Sequence, residues 1–220
     1  RSPMEFAANG TATDESPVGA VEEVKGNATV TRADGTVETI TIGTPIYQGD
    51  VVETDASGAV NIVFIDETSM AVSENARLAI DEYKYDPATE SGTTNFSVLR
   101  GLFVFTSGLI GRDDPDDVSI DTPVGSIGIR GTVIAGDINP SGESKITVLE
   151  GAIVVKNGAM EVVLSEQFQT VTLNGFDQPM KDIGVLPAHD INTRFHSIGD
   201  VNPGLFSMIG DAVKEQSSQH

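Results

Sequence analysis

The chain has 220 residues, of which 33 are acidic and 13 basic, so its formal net charge at pH 7 is −20. This surplus repels phosphate and anionic lipid, which argues against nucleic acid as a partner and against direct membrane insertion. The absence of Cys excludes disulfides, thiolate metal sites and a Cys nucleophile. No run of about 20 apolar residues occurs that would predict a membrane-spanning helix.

The first part of the chain predicts strands after a short flexible arm. Residues 1–19 are rich in Ala, Asn, Gly, Thr, Ser and Pro and have no sustained apolar period, which is typical of a flexible arm. From residue 20 to 173, short β-branched runs alternate with Gly, Asp, Asn and Pro. We predict an all-β fold of about fifteen short strands, arranged as an elongated β-solenoid-like or sandwich-like stack. The clearest hairpin signal is Asn157-Gly158.

Residues 174–220 predict a short helical C-terminal tail that docks on the β body or on a partner. Asp190 can cap a short helix that continues to His196. Asn202-Pro203 combines a capping residue with a proline at the first helical position. The last helix carries an apolar face formed by Leu205, Met208, Ile209, Ala212 and Val213.

Several separated motifs between Val21 and Val155 resemble one known family. They are Ala33-Asp34-Gly35, Gly49-Asp50-Val51-Val52-Glu53-Thr54, residues 59–69, Gly101-Leu102-Phe103-Val104-Phe105, residues 122–132 and Val148-Leu149-Glu150-Gly151. Their order and spacing are similar to those of the FecR-type domain family, named for a ferric-citrate signalling regulator. The resemblance implies an all-β, non-enzymatic domain that is extracytoplasmic, in the periplasm, at the cell surface or secreted. Such domains act in signal relay or within larger surface proteins.

Three functions remain open at this point. The segment 81–87 and the acidic loop 113–117 resemble FecR-type modules near the start of secreted or surface-attached proteins. This favours a non-catalytic extracytoplasmic interaction or scaffold module, with a protein partner or self-association. The first alternative is a periplasmic signal-relay domain resembling ferric-citrate sigma-factor regulators. The second is a carbohydrate-active enzyme on a β-solenoid, which would need two facing carboxylates. No catalytic constellation was found.

Arg130 is the first candidate binding residue. It lies inside the apolar run 124–135, so we expect partial burial and pairing with Asp81, Glu82 or Glu150. Alternatively, its guanidinium binds an anionic group of a ligand.

Two further groups are candidates for contact with a partner or an ion. Tyr83 and Tyr85 alternate on one strand and form a candidate contact patch, although half-exposed strand tyrosines are common. Calcium is a possible cofactor at the acidic loop, whose spacing lacks the EF-hand pattern; the alternative is a solvated charge run. The possible ligands are Asp113, Asp114, Asp116 and Asp117. No other cofactor is expected.

The remaining motif residues have a structural interpretation. Gly residues at the boundaries of apolar runs indicate tight turns or close backbone approach. The motif residues to which we assign a structural role are Gly49, Asp50, Gly101, Gly131, Thr132 and Gly151.

Overall fold

A computed structural model describes residues 16–111, 114–158 and 160–218. The strands in these residues are β1 (Gly19–Lys25), β2 (Ala28–Thr31), β3 (Val37–Thr39), β4 (Pro45–Ile46), β5 (Val51–Thr54), β6 (Ala59–Phe64), β7 (Ser69–Asp86), β8 (Ser91–Thr106), β9 (Val118–Thr122), β10 (Gly125–Ile138), β11 (Ser144–Asn157), β12 (Met160–Leu164), β13 (Gln169–Leu173) and β14 (Lys181–Val185). The α-helices are α1 (Ala188–Arg194), α2 (His196–Gly199) and α3 (Pro203–Ser218), and a 3-10 helix covers Pro115–Asp117.

The fourteen strands form one hydrogen-bonded sheet. Its main path is β14-β13-β11-β10-β9-β8-β7-β5-β2-β3, with β6 beside β7 and β1, β4 beside β1, and β12 beside β11. The strand pairs are antiparallel except β8 and β9, which are parallel. The predicted all-β class is therefore confirmed. The solenoid is not confirmed, because a parallel β-helix stacks successive strands in parallel.

Four strands are longer than the short strands that the sequence predicted. β7 has 18 residues, β8 has 16, and β10 and β11 have 14 each. In β8 the ring centroids of Phe96 and Phe105 are 6.1 Å apart, although the residues between them would span about 30 Å in a straight strand. β8 therefore bends sharply, and the sheet folds over on itself. The pairing register also shifts near the bend, between Ser73 and Arg77 of β7 and between Arg130 and Val133 of β10. The alternation of buried and exposed residues is interrupted at these positions.

Gly101 lies at the bend of β8. Its φ is +101°, in the region that favours glycine. A Cβ at this position would lie 2.5 Å from the Cα of Ala76 on β7. Glu74 and Asn75, just before Ala76, also have positive φ values of 57° and 55°. The bend thus depends on close backbone approach and on left-handed residues in adjacent strands.

The bend divides the sheet into two facing layers. One layer, called the capped layer, consists of β4, β1, β6, β13 and β14 with residues 69–73, 101–106, 133–138 and 144–150 of the long strands. The other, called the open layer, consists of β3, β2, β5, β9 and β12 with residues 77–86, 91–100, 125–130 and 152–157. The main apolar core lies between the two layers. In it, the ring centroid of Phe64 lies 5.1 Å from the ring centroids of both Tyr83 and Phe96.

The helices cover the outer surface of the capped layer. Their apolar residues form a second core with Leu102, Val104 and Leu149 of the sheet. Ion pairs also hold the helices: the Arg194 guanidinium donates to Asp137 at 2.7 Å through Nε, and the Lys25 ammonium lies 2.8 Å from Asp200. The buried apolar residues of the helices and of the turns between them are Ala188, Ile191, Phe195, Ile198, Val201, Leu205, Ile209 and Ala212.

Three predicted boundaries can be compared with the structure. The helix predicted at Asn202-Pro203 begins at Pro203. The prediction that residues after Gly175 are helical is wrong for 181–185, which form β14 and pair with β13. This strand contains Gly184, a residue that disfavours strands, and it has no fully buried residue that would mark a core face. The predicted arm falls mostly on residues 1–15, outside the described residues, and β1 begins at Gly19. No helix of the described ranges is long and apolar enough to cross a membrane.

Candidate interaction surface

Arg130 lies on the outer surface of the open layer. Its side chain is exposed, while the preceding Ile129 is buried in the main core. The expected burial of Arg130 is therefore wrong, because the apolar run has only one buried face at this point. Within the described residues, Arg130 forms no salt bridge with Asp81, Glu82 or Glu150. Its charge is available to a binding partner.

A shallow groove of about 380 Å³ surrounds Arg130, and we call it the outer groove. Its floor is low because Gly128 has no side chain and Ala152, opposite Arg130 on β11, has a small one. Lys156 on β11 faces Glu161 on β12 across the strands. The groove combines charged and apolar side chains, as protein interfaces do. It is lined by Asp116, Gly128, Arg130, Ala152, Ile153, Val154, Lys156, Glu161 and Val163.

Beside the outer groove, the sheet ends in an apolar side that we call the open flank. It consists of β12, β14 and the connection that carries Phe176. Five of the nine large hydrophobic side chains that are exposed in the described residues lie there. Exposed apolar patches of this kind mark interaction sites. The five are Met160 (40% exposed), Val163 (58%), Phe176 (59%), Ile183 (36%) and Val185 (49%). This flank was not predicted from the sequence, although apolar residues concentrate in 160–164.

Tyr83 belongs to the interior rather than to a contact patch. It is 4% exposed, and its hydroxyl donates to the carboxylate of Asp66, which is fully buried. The predicted surface role of Tyr83 is therefore wrong. The strand faces the main core at this position, and the hydroxyl finds a buried acceptor. Tyr85 is half-buried against the same core, so its predicted contact role stays a prediction.

Burial raises the pKa of the Tyr83 hydroxyl well above its ordinary value, and the hydrogen bond to Asp66 raises it further. Tyr83 in the unfolded chain ionises near pH 10. Its contribution to the free energy of unfolding is therefore complete below that pH and falls as the pH rises. We expect the free energy of unfolding to decrease above pH 10 by about 1.4 kcal/mol per pH unit. Urea unfolding from pH 8 to 11, with tyrosinate absorbance, measures this. Tyr83→Phe is expected to flatten the slope; an unchanged slope would contradict the assignment.

The acidic loop gives no metal centre in the part of it that the structure describes. Asp113 lies outside the described residues, and Asp114 caps the 3-10 helix by accepting from the Asp116 amide at 2.9 Å. Across the described ranges, no group of three or more His, Asp or Glu side chains could hold a metal ion. Calcium binding by this loop, including Asp117, stays a prediction.

The motif residues lie at turns and inside the fold. Asp50 is 1% exposed and accepts from Arg32 Nη1 at 2.5 Å and from the Tyr47 amide at 2.8 Å. Burial raises the pKa of Asp50, against the effect of these donors. Thr132 is also buried, and its amide donates to Ser107 Oγ at 3.0 Å. The four motif glycines all have positive φ: Gly49, Gly101, Gly131 and Gly151.

A cleft of about 720 Å³ lies between α1 and the capped layer. It contains the carboxylates of Asp137 and Glu143, the type of pair that a glycosidase needs. Asp137, however, accepts hydrogen bonds from the guanidinium of Arg194, which fastens α1 to the sheet. This contact gives Asp137 a structural task.

The fold and its exposed surfaces define an all-β domain with an uncovered outer face. Residues 50–154 match the family model described as FecR protein. The matched segment includes all of β7 to β10 and most of β11, so it contains the bend and the Arg130 side of the groove. The predicted resemblance to the FecR-type domain family is therefore confirmed for residues 50–154. A comparison with curated proteins found no match.

Solved structures with the same fold include two from Parabacteroides distasonis ATCC 8503, each described as a proposed anti-sigma factor. The first has a TM-score of 0.50 and 10% identity, covering 61% of this chain and 59% of its own. The second has a TM-score of 0.50 and 9% identity, covering 67% and 73%. A structure called a cell surface anchoring domain, 29% identical, covers 28% of this chain and 82% of its own with a TM-score of 0.28, which supports no argument. At 9% and 10% identity, the likeness concerns the fold alone.

Proposed function

We propose that this chain is a non-catalytic signal-relay module that acts outside the cytoplasm by binding a protein partner. The observation that carries the proposal is the FecR match over residues 50–154. The description of the P. distasonis structures, which share the fold, supports it as well. These comparisons favour signal relay over the scaffold role that the sequence analysis placed first.

The outer groove is the surface that we assign to the partner. It lies within or beside the matched domain, on the layer that the helices leave uncovered. Arg130 has no salt bridge in the described part of the chain, in a protein where acidic residues outnumber basic ones by 33 to 13. An unpaired guanidinium beside apolar Val154 and Val163 suits a carboxylate of a partner that also contributes apolar contacts.

The experiment replaces Arg130 by Ala in the chromosomal gene and measures the transcriptome. If the module relays a signal, a defined set of genes changes expression, because loss of an interfacial charge contact weakens partner binding by about tenfold or more. Lys181→Ala is the matched control, since Lys181 is an exposed cation on β14, outside the groove, with no salt bridge in the described ranges.

The signal-relay and scaffold hypotheses predict different results. Signal relay predicts that Arg130→Ala, but not Lys181→Ala, reproduces the transcriptional effect of deleting residues 50–154. A scaffold predicts that even the deletion leaves transcription unchanged and instead disturbs assembly at the surface. Unchanged transcription in the deletion strain would overturn the relay proposal.

A further inference from the structure

Among the described strands, the two layers of the sheet have four outer edges, and three of them are protected against pairing with another strand. β4 has two residues and includes Pro45, and β3 has only three residues. β14 is paired through a bulge, with Gly184 at a positive φ of 81°. Short strands, prolines and bulges are the devices by which proteins block such edges.

β12 has none of these devices. Its five residues contain no Pro, Gly or Lys, and they pair with β11 in an uninterrupted register from Asn157↔Met160 to Ile153↔Leu164. In the described part of the chain, no strand pairs with its other edge. Met160 and Val163 are 40% and 58% exposed. The strand thus offers free backbone groups together with apolar side chains.

The sequence of β12 is complementary to itself. In an antiparallel pair centred on Val162, Met160 lies opposite Leu164 of the second copy, and Glu161 lies opposite its Val163. Residues that lie opposite each other point to the same face. On the outer face, each row reads Lys156, Glu161, then Val163 and Val154 of the second copy. Each Glu161 is therefore balanced by its own Lys156, and no like charges lie directly opposite.

The neighbouring in-face registers are less favourable. Centring the pair on Glu161 places the two Glu161 carboxylates opposite each other, which is destabilising. Centring it on Val163 leaves Met160 outside the ladder. The register centred on Val162 pairs the whole strand and closes by a two-fold axis, so that it produces a dimer rather than a fibre.

We infer that β12 pairs with β12 of a second copy of this chain, joining the two open layers into one continuous sheet. The net charge of −20 on each copy opposes association. Salt screens this repulsion, since the Debye length is about 10 Å at 0.1 M and about 3 Å at 1 M. Dimerisation is therefore expected to strengthen as salt is added, and the neutral backbone ladder and apolar contacts persist.

Sedimentation equilibrium of the full chain tests the inference directly. Between about 1 and 500 μM, the average mass is expected to rise from 23.1 kDa towards twice that value, with a lower dissociation constant at 0.5 M than at 0.05 M NaCl. A monomer at every concentration and salt would overturn the inference.

Two substitutions at one exposed position test the register. Val163→Glu places a carboxylate opposite Glu161 of the second copy, and the symmetry repeats this contact, so we expect about tenfold weaker dimerisation. Val163→Lys places a cation there and is expected to strengthen dimerisation. Equal effects of the two variants would contradict the register.

Two measurements separate folding from association. Val37→Glu on β3 is the matched control, since Val37 is 61% exposed and lies on a different edge; it is expected to leave the dissociation constant unchanged. Thermal melting of each variant shows that the monomer is intact. The result is independent of the relay proposal, since mass does not depend on Arg130 or on transcription.

Discussion

Replacing Asp66 by Ala is expected to lower the free energy of unfolding by about 3–5 kcal/mol. The Asp66 carboxylate is fully buried and accepts from Thr68 N at 3.1 Å, Thr68 Oγ1 at 2.8 Å and Ile110 N at 3.0 Å, as well as from the Tyr83 hydroxyl. Removing it leaves buried donors without an acceptor. Each unsatisfied buried donor costs about 1–3 kcal/mol.

Asp66 also explains why this loss should reach the whole domain. Its hydrogen bonds connect the turn between β6 and β7 with residues 109–110, after β8. Urea unfolding measures the effect. Asp81→Ala is the matched control, because Asp81 is an exposed residue of β7, the strand that also carries Tyr83, and its carboxylate accepts a hydrogen bond from the Ser97 hydroxyl. A loss for Asp66→Ala as small as that for Asp81→Ala would contradict the assigned role.

Replacing Gly101 by Ala is expected to lower the melting temperature by about 6–12 °C, equivalent to roughly 3 kcal/mol in a domain of this size. A left-handed φ costs a residue with a Cβ about 1–2 kcal/mol. The remainder comes from the contact with the Ala76 backbone, where the new Cβ would lie 2.5 Å from Cα.

A second glycine separates these two costs. Gly35 has a similar φ of +90°, yet a Cβ there meets nothing within 4 Å. Gly35→Ala is therefore expected to show only the cost of φ, with a change of about 2–4 °C per kcal/mol lost. Calorimetry of both variants checks the difference. Equal melting temperatures for Gly101→Ala and Gly35→Ala would show that backbone approach at the bend contributes nothing.

The strand class of this fold was readable from the sequence because alternation is a local property. Val60, Ile62 and Phe64 are buried in the main core as their spacing predicts. The Asn157-Gly158 signal likewise marks the hairpin of β11 and β12. The bend could not be predicted, since it depends on the approach of Gly101 to Ala76, which are 25 positions apart in sequence. Contacts of that kind leave no periodic signal.

The candidate site was predictable only in part. Arg130 stands out in the sequence as a cation in an apolar run, but its exposure could not be predicted, because it depends on which face of β10 the helices leave uncovered. Tyr83 and Tyr85 are two positions apart, so they point to the same face of the sheet. This spacing does not show whether that face is the buried or the exposed one. The open flank could not be predicted, because a strand lies at an edge only when no other strand pairs with one of its sides, and strand pairing is not visible in the sequence of the strand itself.

The four long strands also determine how the domain comes apart. Because β7, β8, β10 and β11 each pass through both layers, neither layer can separate without breaking the backbone ladders of the other. The β domain should therefore unfold as one cooperative unit. Amide protons in the centres of both layers are then expected to exchange at one common, slow rate, while those of the helices exchange sooner.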